Sequence, residues 1–176
     1  MRRMPYGCTA IQRSMSIAYF AERILRISRS PAADAPQAEA EELVGRLLEE
    51  LDYVGVLALE LFDVAGRLLA NEFAPRVHNT GHWTIDGAVT SQFENHLRAI
   101  LGLPLGSTHA LAPAVMLNLI GAAPPSEKLL QLPGAHLHLY GKAPRPGRKI
   151  GHVTLVGAPE ETVAEAVALV EGSADG

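Results

Sequence analysis

The sequence VGVLALELFDVAGRLLANEFA at residues 54–74 contains two apolar runs on either side of a turn signal. The runs at 54–62 and 67–74 are rich in apolar residues, and Gly66 lies between them. This pattern predicts two β-strands joined as a hairpin. Acidic and polar side chains lie on the hairpin and directly after it, so the way the hairpin pairs also decides which of these side chains can act together.

The length of the hairpin turn determines where two glutamates point. If residues 64–66 form a three-residue turn, Gly66 takes the left-handed position that glycine tolerates best, and Glu60 faces Ala70. Glu60 and Glu72 are then diagonal neighbours on one face, about 7–8 Å apart. A turn longer by one residue would place them on opposite faces. We prefer the three-residue turn because it accounts for Gly66.

Helix and strand patterns surround the hairpin. Apolar residues recur at helical spacing over 37–52 and over 91–101, and the second helix is predicted to bury Phe93, Leu97 and Ile100. Further elements are predicted as strands at 24–28, 114–120, 135–140 and 149–156, a helical turn at 126–130 and a closing helix at 159–171. Together these elements indicate an α+β fold.

Composition excludes several classes of protein. Fifteen Lys and Arg against nineteen Asp and Glu give a net charge of −4, which lacks the basic surplus of a dedicated nucleic-acid-binding protein. No apolar run approaches the length of a membrane span. The single cysteine, Cys8, cannot form an internal disulfide, and this favours a cytoplasmic location.

The two hairpin glutamates have two interpretations. Glu60 interrupts an apolar run, where an unpaired buried carboxylate would be costly, so it needs a partner. One interpretation is a strand-edge glutamate in water or paired with Arg67 or Arg76. The other is that Glu60 and Glu72 together hold Mg²⁺, which prefers carboxylate oxygens, water and substrate phosphate as ligands.

A polar loop, NEFAPRVHNTGHWT at 71–84, follows the second strand. Arg76 offers a planar fork of donors for a carboxylate or phosphate, and Asn79 adds amide donors. His78 can donate a hydrogen bond or exchange a proton near neutral pH. The loop is therefore a candidate cradle for an oxyanion beside a metal ion.

Two further groups of polar residues lie near the C-terminus. Four cations fall within eight residues: Lys142, Arg145, Arg148 and Lys149. From the residues alone this is a solvated basic turn or a site of nonspecific polyanion contact. His136, His138 and His152 raise the question of a metal site, but the sequence places no carboxylate or cysteine at ligand spacing, so packing or hydrogen bonding is favoured. Trp83 and Tyr140 are expected to be core anchors.

Several segments together resemble the 5-(carboxyamino)imidazole ribonucleotide synthases, which are ATP-grasp enzymes and the ATPase subunits of phosphoribosylaminoimidazole carboxylase. The resemblance follows the chain in unbroken order from about residue 24 to residue 156. It rests on LELF at 59–62, NEFAPRVHNTGHWT at 71–84, SQFENHLRAI at 91–100, VMLNLIG at 115–121 and YGKAPRPGRKIGH at 140–152.

The resemblance implies an activity and its partners. The family carboxylates 5-aminoimidazole ribonucleotide with bicarbonate and ATP, through carboxyphosphate, in purine biosynthesis. It implies ATP and Mg²⁺ as cofactors, a cytoplasmic location and a homodimer.

The resemblance also implies roles for individual residues. Glu60 and Glu72 resemble the family's Mg²⁺ ligands, and Asn71 with Glu72 its ATP-contacting pair. Arg76, His78 and Asn79 resemble the residues that hold bicarbonate and the transferring phosphoryl group. The ribonucleotide's 5′-phosphate is implied to contact Lys142 and Arg148, with Arg145 and Lys149 beside them.

The resemblance divides the chain into unequal parts. Residues 24–104 correspond to the C-terminal half of an ATP-grasp domain, with an antiparallel sheet and packed helices, and residues 105–176 to a small β-rich C-terminal domain. Residues 1–23 match nothing in the family and are expected to be a disordered or artefactual leader, with a mitochondrial transit peptide as the alternative.

The family's N-terminal half has no counterpart in this sequence. We therefore expect the chain alone to be inactive and to self-associate through apolar surface that the other half would cover. Two alternatives remain: a non-catalytic remnant that binds a phosphorylated ligand or a partner, and a metal hydrolase that uses the histidines.

Overall fold

A computed structural model describes residues 17–21, 24–30, 37–65 and 67–174. The strands are β1 (Ile17–Ala21), β2 (Ile24–Ser30), β3 (Ala58–Val64), β4 (Arg67–Ala74), β5 (Ala114–Ile120), β6 (Ala135–Leu139) and β7 (Lys149–Val156). The helices are α1 (Gln37–Leu51), α2 (Thr84–Gly87), α3 (Gln92–Ile100), α4 (Ser126–Leu130) and α5 (Glu160–Ala174), and a 3₁₀ turn spans Asn79–Gly81. The predicted α+β class is confirmed. Among the described helices, none combines the length and apolar character needed to cross a membrane.

Five strands form one antiparallel sheet in the order β1-β2-β5-β7-β6, and β3 and β4 form a separate two-stranded sheet. Strand β2 pairs with β5, so strands from both sides of residue 104 share the larger sheet. The division at 104 remains a proposal. Strand β1 lies within the segment expected to be a disordered leader, and its backbone pairs with β2; the rest of that leader lies outside the described residues.

The core occupies both faces of the larger sheet, and β5 shows how. Val115, Leu117 and Leu119 point to one face, where they pack with residues of β7, α4 and α5 such as Val153, Leu129 and Val163. Ala114 and Met116 point to the other face and pack against Trp83 and Leu25. Since successive strand residues alternate between faces, a strand that is buried throughout requires a layer on each side.

The hairpin is confirmed, but the predicted register was wrong. Val64 pairs with Arg67, which leaves a two-residue turn with Ala65 in the left-handed conformation at φ 53°. A regular ladder from this turn would have separated the glutamates, but the register shifts between Glu60 and Leu61, so that Glu60 pairs directly with Glu72. Such a β-bulge adds one residue to one strand. The predicted shared face is therefore correct, for a different reason.

The burial predicted for α3 was also wrong. Its apolar residues face outward, with Phe93 36%, Leu97 55% and Ile100 51% exposed. The residues that α3 buries are Gln92, Asn95 and Ala99. Asn95 exchanges two hydrogen bonds with the backbone of Gly106, so the polar side of this helix is satisfied internally and faces the protein.

Candidate functional site

The bulged hairpin brings carboxylates and a histidine together. Ligand atoms of Glu60, Glu72 and His78 all lie within 4.8 Å of one another. His78 Nε2 is 3.5 Å from Glu60 Oε1, and the side chain of Asn71 donates to Glu60 Oε2 at 3.2 Å. The partners of Glu60 among the described residues are thus Asn71 and His78, whereas the sequence interpretation considered Arg67 or Arg76.

This acidic group fits a hard divalent cation. Like charges directly opposite each other on paired strands are destabilising, and Glu60 and Glu72 occupy that arrangement. A cation between them would remove the repulsion, and carboxylate oxygens are the ligands that Mg²⁺ prefers. His78 is a poorer ligand for Mg²⁺ and is placed to hold Glu60. Burial lowers the pKa of His78, with Arg76 and Lys149 acting in the same direction and Glu60 and Glu72 opposing them.

The loop after β4 is held by its backbone. Gln92 accepts from the amide of His78 at 2.9 Å and donates to the carbonyl of His78 at 2.7 Å. Ser28 donates to the carbonyl of Thr80 at 2.9 Å. A Cβ at Gly81 would lie 2.7 Å from Gln92 Oε1, so only glycine permits this approach without displacing Gln92. The loop is therefore positioned independently of any ligand.

The predicted oxyanion residues lie together on this loop. Arg76 is exposed and its guanidinium donates to the carbonyl of Val77 at 3.0 Å. His78 precedes the 3₁₀ turn, and Asn79 is the first residue of that turn. The loop thus carries a cation and hydrogen-bond donors beside the acidic group, and this arrangement can bind an oxyanion.

The basic loop before β7 separates into two kinds of residue. Lys142 and Arg145 are exposed and Arg148 is half-buried. The loop turns tightly, with the amide of Arg148 donating to the carbonyl of Arg145 at 3.0 Å and Gly147 at φ 70°. Lys149 instead points inward: its Nζ donates to Asn79 Oδ1 and, at 3.0 Å, to His82 Nδ1. The two polar groups that the sequence presented separately therefore meet at this lysine.

A group of aromatic and histidine side chains extends from Lys149, with His152 buried and Tyr140 and His138 half-buried. The Tyr140 hydroxyl is 2.5 Å from His152 Nδ1, and the rings of His138 and His152 stack with centroids 4.5 Å apart. His138 Nε2 is 2.8 Å from Asp86 Oδ2. Burial raises the pKa of Tyr140 to about 12 and, with Lys149 as the next cause, lowers the pKa of His152 to about 3. Tyr140 is therefore part of a polar network, whereas a core role was expected; Trp83, fully buried, is the core anchor that was predicted.

The histidines do have a carboxylate neighbour, which corrects the expectation from sequence spacing. Asp86, His138 and His152 offer ligand atoms within 4.8 Å of one another. The planes of the two imidazoles are inclined by only 15°, so their in-plane lone pairs run nearly parallel and do not converge on one ion. His138 contacts Asp86 and stacks on His152, whereas Nε2 of His152 is buried without a hydrogen-bond partner among the described residues. The packing or hydrogen-bonding role favoured from the sequence stays a prediction.

The buried histidines predict sensitivity to acid. The pKa of His82 and of His152 is lowered to about 3, chiefly by burial and next by Lys149. Above pH 6.5, the ordinary pKa of histidine, both rings are neutral in the folded and the unfolded chain, and their contribution to stability is complete. This contribution is lost as the pH falls toward 3, because the unfolded chain then binds more protons than the folded chain. We therefore expect the urea concentration that unfolds half of the purified chain to be lower at pH 5 than at pH 7.5.

A matched pair of variants isolates this effect. His82→Gln should reduce the difference between the two midpoints, whereas His109→Gln, at an exposed histidine, should leave it as in the parent chain. Equal midpoints at both pH values in the parent chain would contradict the assignment.

Sequence reasoning missed three parts of the site. These are the bond between Lys149 and Asn79, the bracing of His78 by Gln92, and the approach of Asp86 to His138. Each joins residues far apart in the chain. For the contact between Asp86 and His138, the sequence offered one indication. His136 and His138 alternate along a strand and so share one face, but this spacing does not show that Asp86 packs against that face.

Comparison with known proteins matches the chain to two family models. A model described as the ATP-grasp domain matches residues 15–93, and one described as the phosphoribosylaminoimidazole carboxylase C-terminal domain matches residues 114–166. The N5-carboxyaminoimidazole ribonucleotide synthase of Pseudomonas aeruginosa is 56% identical over 148 residues, which are 84% of this chain and 41% of that protein.

Solved structures show the same similarity. The N5-carboxyaminoimidazole ribonucleotide synthetase from Thermus thermophilus superposes with a TM-score of 0.85 at 52% identity, over 93% of this chain and 46% of that one. The synthase from Aspergillus clavatus, in complex with ADP and 5-aminoimidazole ribonucleotide, superposes with a TM-score of 0.82 at 34% identity, over 89% and 46%. The chain thus spans less than half the length of these three proteins.

Proposed function

Because this chain belongs to the N5-carboxyaminoimidazole ribonucleotide synthase family of ATP-grasp proteins, we propose that it supplies part of an enzyme that carboxylates 5-aminoimidazole ribonucleotide. The reaction uses ATP and bicarbonate. A bicarbonate oxygen attacks the γ-phosphorus of ATP and ADP leaves, giving carboxyphosphate. The substrate's amine then attacks the carboxyl carbon, with loss of phosphate and a proton, and yields N5-carboxyaminoimidazole ribonucleotide.

The loop after β4 would act on the anions. Arg76 and Asn79 would donate to bicarbonate and to the transferring phosphoryl group, and the bond from Lys149 already holds the Asn79 carboxamide. Glu60 and Glu72 would hold Mg²⁺, and Asn71 with Glu72 would contact ATP. Bound Mg²⁺ would neutralise phosphate charge. His78, which contacts Glu60, keeps that carboxylate oriented.

The basic loop would hold the ribonucleotide. Lys142 and Arg145 are exposed and Arg148 is half-buried on one tight turn, which suits the 5′-phosphate of a substrate that enters from outside. The observation that carries the proposal is the contact between Lys149 and Asn79, because it joins the anion-binding loop to the ribonucleotide-binding loop in one site.

We also propose the division and assembly that accompany this function. Residues 24–104 correspond to the C-terminal half of the ATP-grasp domain and residues 105–176 to the small C-terminal domain. Exposed apolar side chains on β3, β4 and α3, including Phe62, Leu69 and Leu97, favour self-association or pairing with a complementary half. A homodimer in the cytoplasm fits the lone cysteine and the family.

Reconstitution tests the proposed function. The chain alone should form ADP at background rate with 5-aminoimidazole ribonucleotide and bicarbonate. Mixing it with the part of the Pseudomonas aeruginosa relative that precedes the matched region should raise substrate-dependent ADP formation by ~10-fold or more, since binding and chemistry need both halves.

The positive control is the same N-terminal part mixed with the relative's own C-terminal part. If that control turns over and the mixture with this chain does not, the proposed activity is wrong, and binding of a phosphorylated ligand by a non-catalytic protein becomes the better account.

A further inference from the structure

The neighbouring cations Arg148 and Lys149 at the start of β7 have different surroundings. Arg148 belongs to the turn, where its guanidinium reaches the carbonyl of Ala143 at 3.4 Å. Lys149 is the first residue of β7, and its Nζ lies 5.5 Å from the centroid of the Tyr140 ring. Burial, followed by the nearby charge of Lys142, lowers the pKa of Lys149 to about 7. The Lys149 side chain is half-buried and its Nζ contacts Asn79 and His82, whereas Lys142 and Arg145 are exposed to a ligand that arrives from solvent.

The two hydrogen bonds of Lys149 explain its position. It donates to Asn79 Oδ1 in the anion-binding loop and to His82 Nδ1 three residues later. The pKa of His82 is lowered to about 3 by burial, then by Lys149, so the ring is neutral at neutral pH. Nδ1 is then the acceptor nitrogen, because an ammonium group can only donate. Since a lysine amine donates in both of its charge states, these bonds persist whether or not Lys149 is protonated.

The bond to Asn79 fixes the orientation of a carboxamide. Because Oδ1 accepts from Lys149, the amide group Nδ2 is turned away from Lys149, and no residue that the structure describes accepts its two hydrogens, which can donate to an anion. The backbone of the same loop is held by Gln92 and Ser28 instead. Loss of Lys149 would therefore release the Asn79 side chain and leave the loop backbone in place.

We propose that Lys149 is a positioning residue that orients the Asn79 carboxamide for the bound oxyanion, and not a further ligand of the ribonucleotide phosphate. The positioning role of Lys149 rests on the proposed function, because that function supplies the oxyanion. Its geometry rests only on contacts within this chain. Lys149 thereby links the two loops. The Asn79 carboxamide of the anion-binding loop is aligned when the basic loop is ordered.

Kinetics of the reconstituted enzyme separate the two roles. Lys149→Met should lower kcat by about 10–100-fold, as the loss of a supporting contact typically does, and should leave the KM for 5-aminoimidazole ribonucleotide within about twofold. Lys142→Met should instead raise that KM by ~10-fold or more through loss of a charged hydrogen bond. Lys128→Met, the same change at an exposed lysine on α4, should alter neither value.

Chemical rescue distinguishes positioning from a general loss of structure. In a Cys8→Ser background, Lys149→Cys should show the low kcat, and alkylation with bromoethylamine should restore most of it by rebuilding an amine of lysine length. A rise in KM equal to that of Lys142→Met, an unchanged kcat in Lys149→Met, or no recovery on alkylation would each overturn the proposal.

A test on the chain alone keeps the inference separate from the proposed function. If the wild-type mixture has no turnover, NMR of the isolated chain with inorganic phosphate decides. Lys149→Met should shift the Asn79 side-chain amide signals and retain phosphate binding, whereas Lys142→Met should weaken phosphate binding. Loss of phosphate binding in Lys149→Met, or unchanged Asn79 signals, would contradict the positioning role.

Discussion

Glu72→Gln in the reconstituted enzyme is expected to reduce substrate-dependent ADP formation by at least ~10–100-fold. The change keeps the size of the side chain and removes one of the two carboxylates that face each other across the hairpin. An amide oxygen is a weaker ligand for a hard cation and neutralises none of its charge. The Mg²⁺ concentration needed for half-maximal turnover should rise accordingly.

Two controls define this result. Glu127→Gln, at an exposed glutamate in the first turn of α4, should leave turnover and Mg²⁺ dependence as in the wild type. In the isolated chain, Mn²⁺ should broaden the NMR signals of the His78 ring, which contacts Glu60, and Glu72→Gln should weaken that broadening. Equal Mg²⁺ dependence in both variants, with equal Mn²⁺ broadening, would show that Glu72 holds no metal.

Trp83→Ala is expected to destabilise the chain by about 3–5 kcal/mol, the usual loss for a buried aromatic side chain. Trp83 is fully buried and packs with Met116 and Ala114 on one face of the larger sheet. A Cβ added at Gly87 would lie 2.9 Å from the Trp83 ring, which shows how closely the neighbouring backbone approaches it. A loss of this size is a large part of the stability of a typical domain.

Urea unfolding followed by far-UV circular dichroism measures this effect, because Trp83 is the chain's only tryptophan and its fluorescence is lost in the variant. Leu139→Ala, at a side chain 54% exposed on β6, should change stability by no more than about 0.5 kcal/mol. Gly87→Ala should destabilise by about 1–3 kcal/mol through crowding of the same ring. Similar midpoints for Trp83→Ala and Leu139→Ala would contradict this account of the core.

The elements that local patterns predicted correctly are those whose neighbours in sequence decide their form. The strands at 114–120 and 149–156 and the turn at 126–130 match the structure at both ends. Helix α3 was placed within a residue or two, yet its buried side was misjudged. The spacing of its apolar residues shows that α3 has an apolar and a polar side, but not which side faces the protein. The contacts of Gln92 and Asn95 select the polar side for burial.

The candidate site divides in the same way. Local sequence sufficed to single out Glu60, Glu72, Arg76, His78 and Asn79, because charge and amide chemistry are concentrated in one hairpin and one loop. It could not give the register that brings the two glutamates together, since a bulge depends on how both strands fit. The resemblance to a known family supplied the roles, which remain proposals here.

By itself, the sequence determined the α+β class, the hairpin and the polar loop after it. Each follows from composition or from periodicity over a few residues. Only the tertiary structure decided that Lys149 turns inward to Asn79 and that Asp86 reaches His138. These contacts span 70 and 52 residues of chain, and they exist because two faces of one sheet must both be covered, a requirement that no local pattern contains.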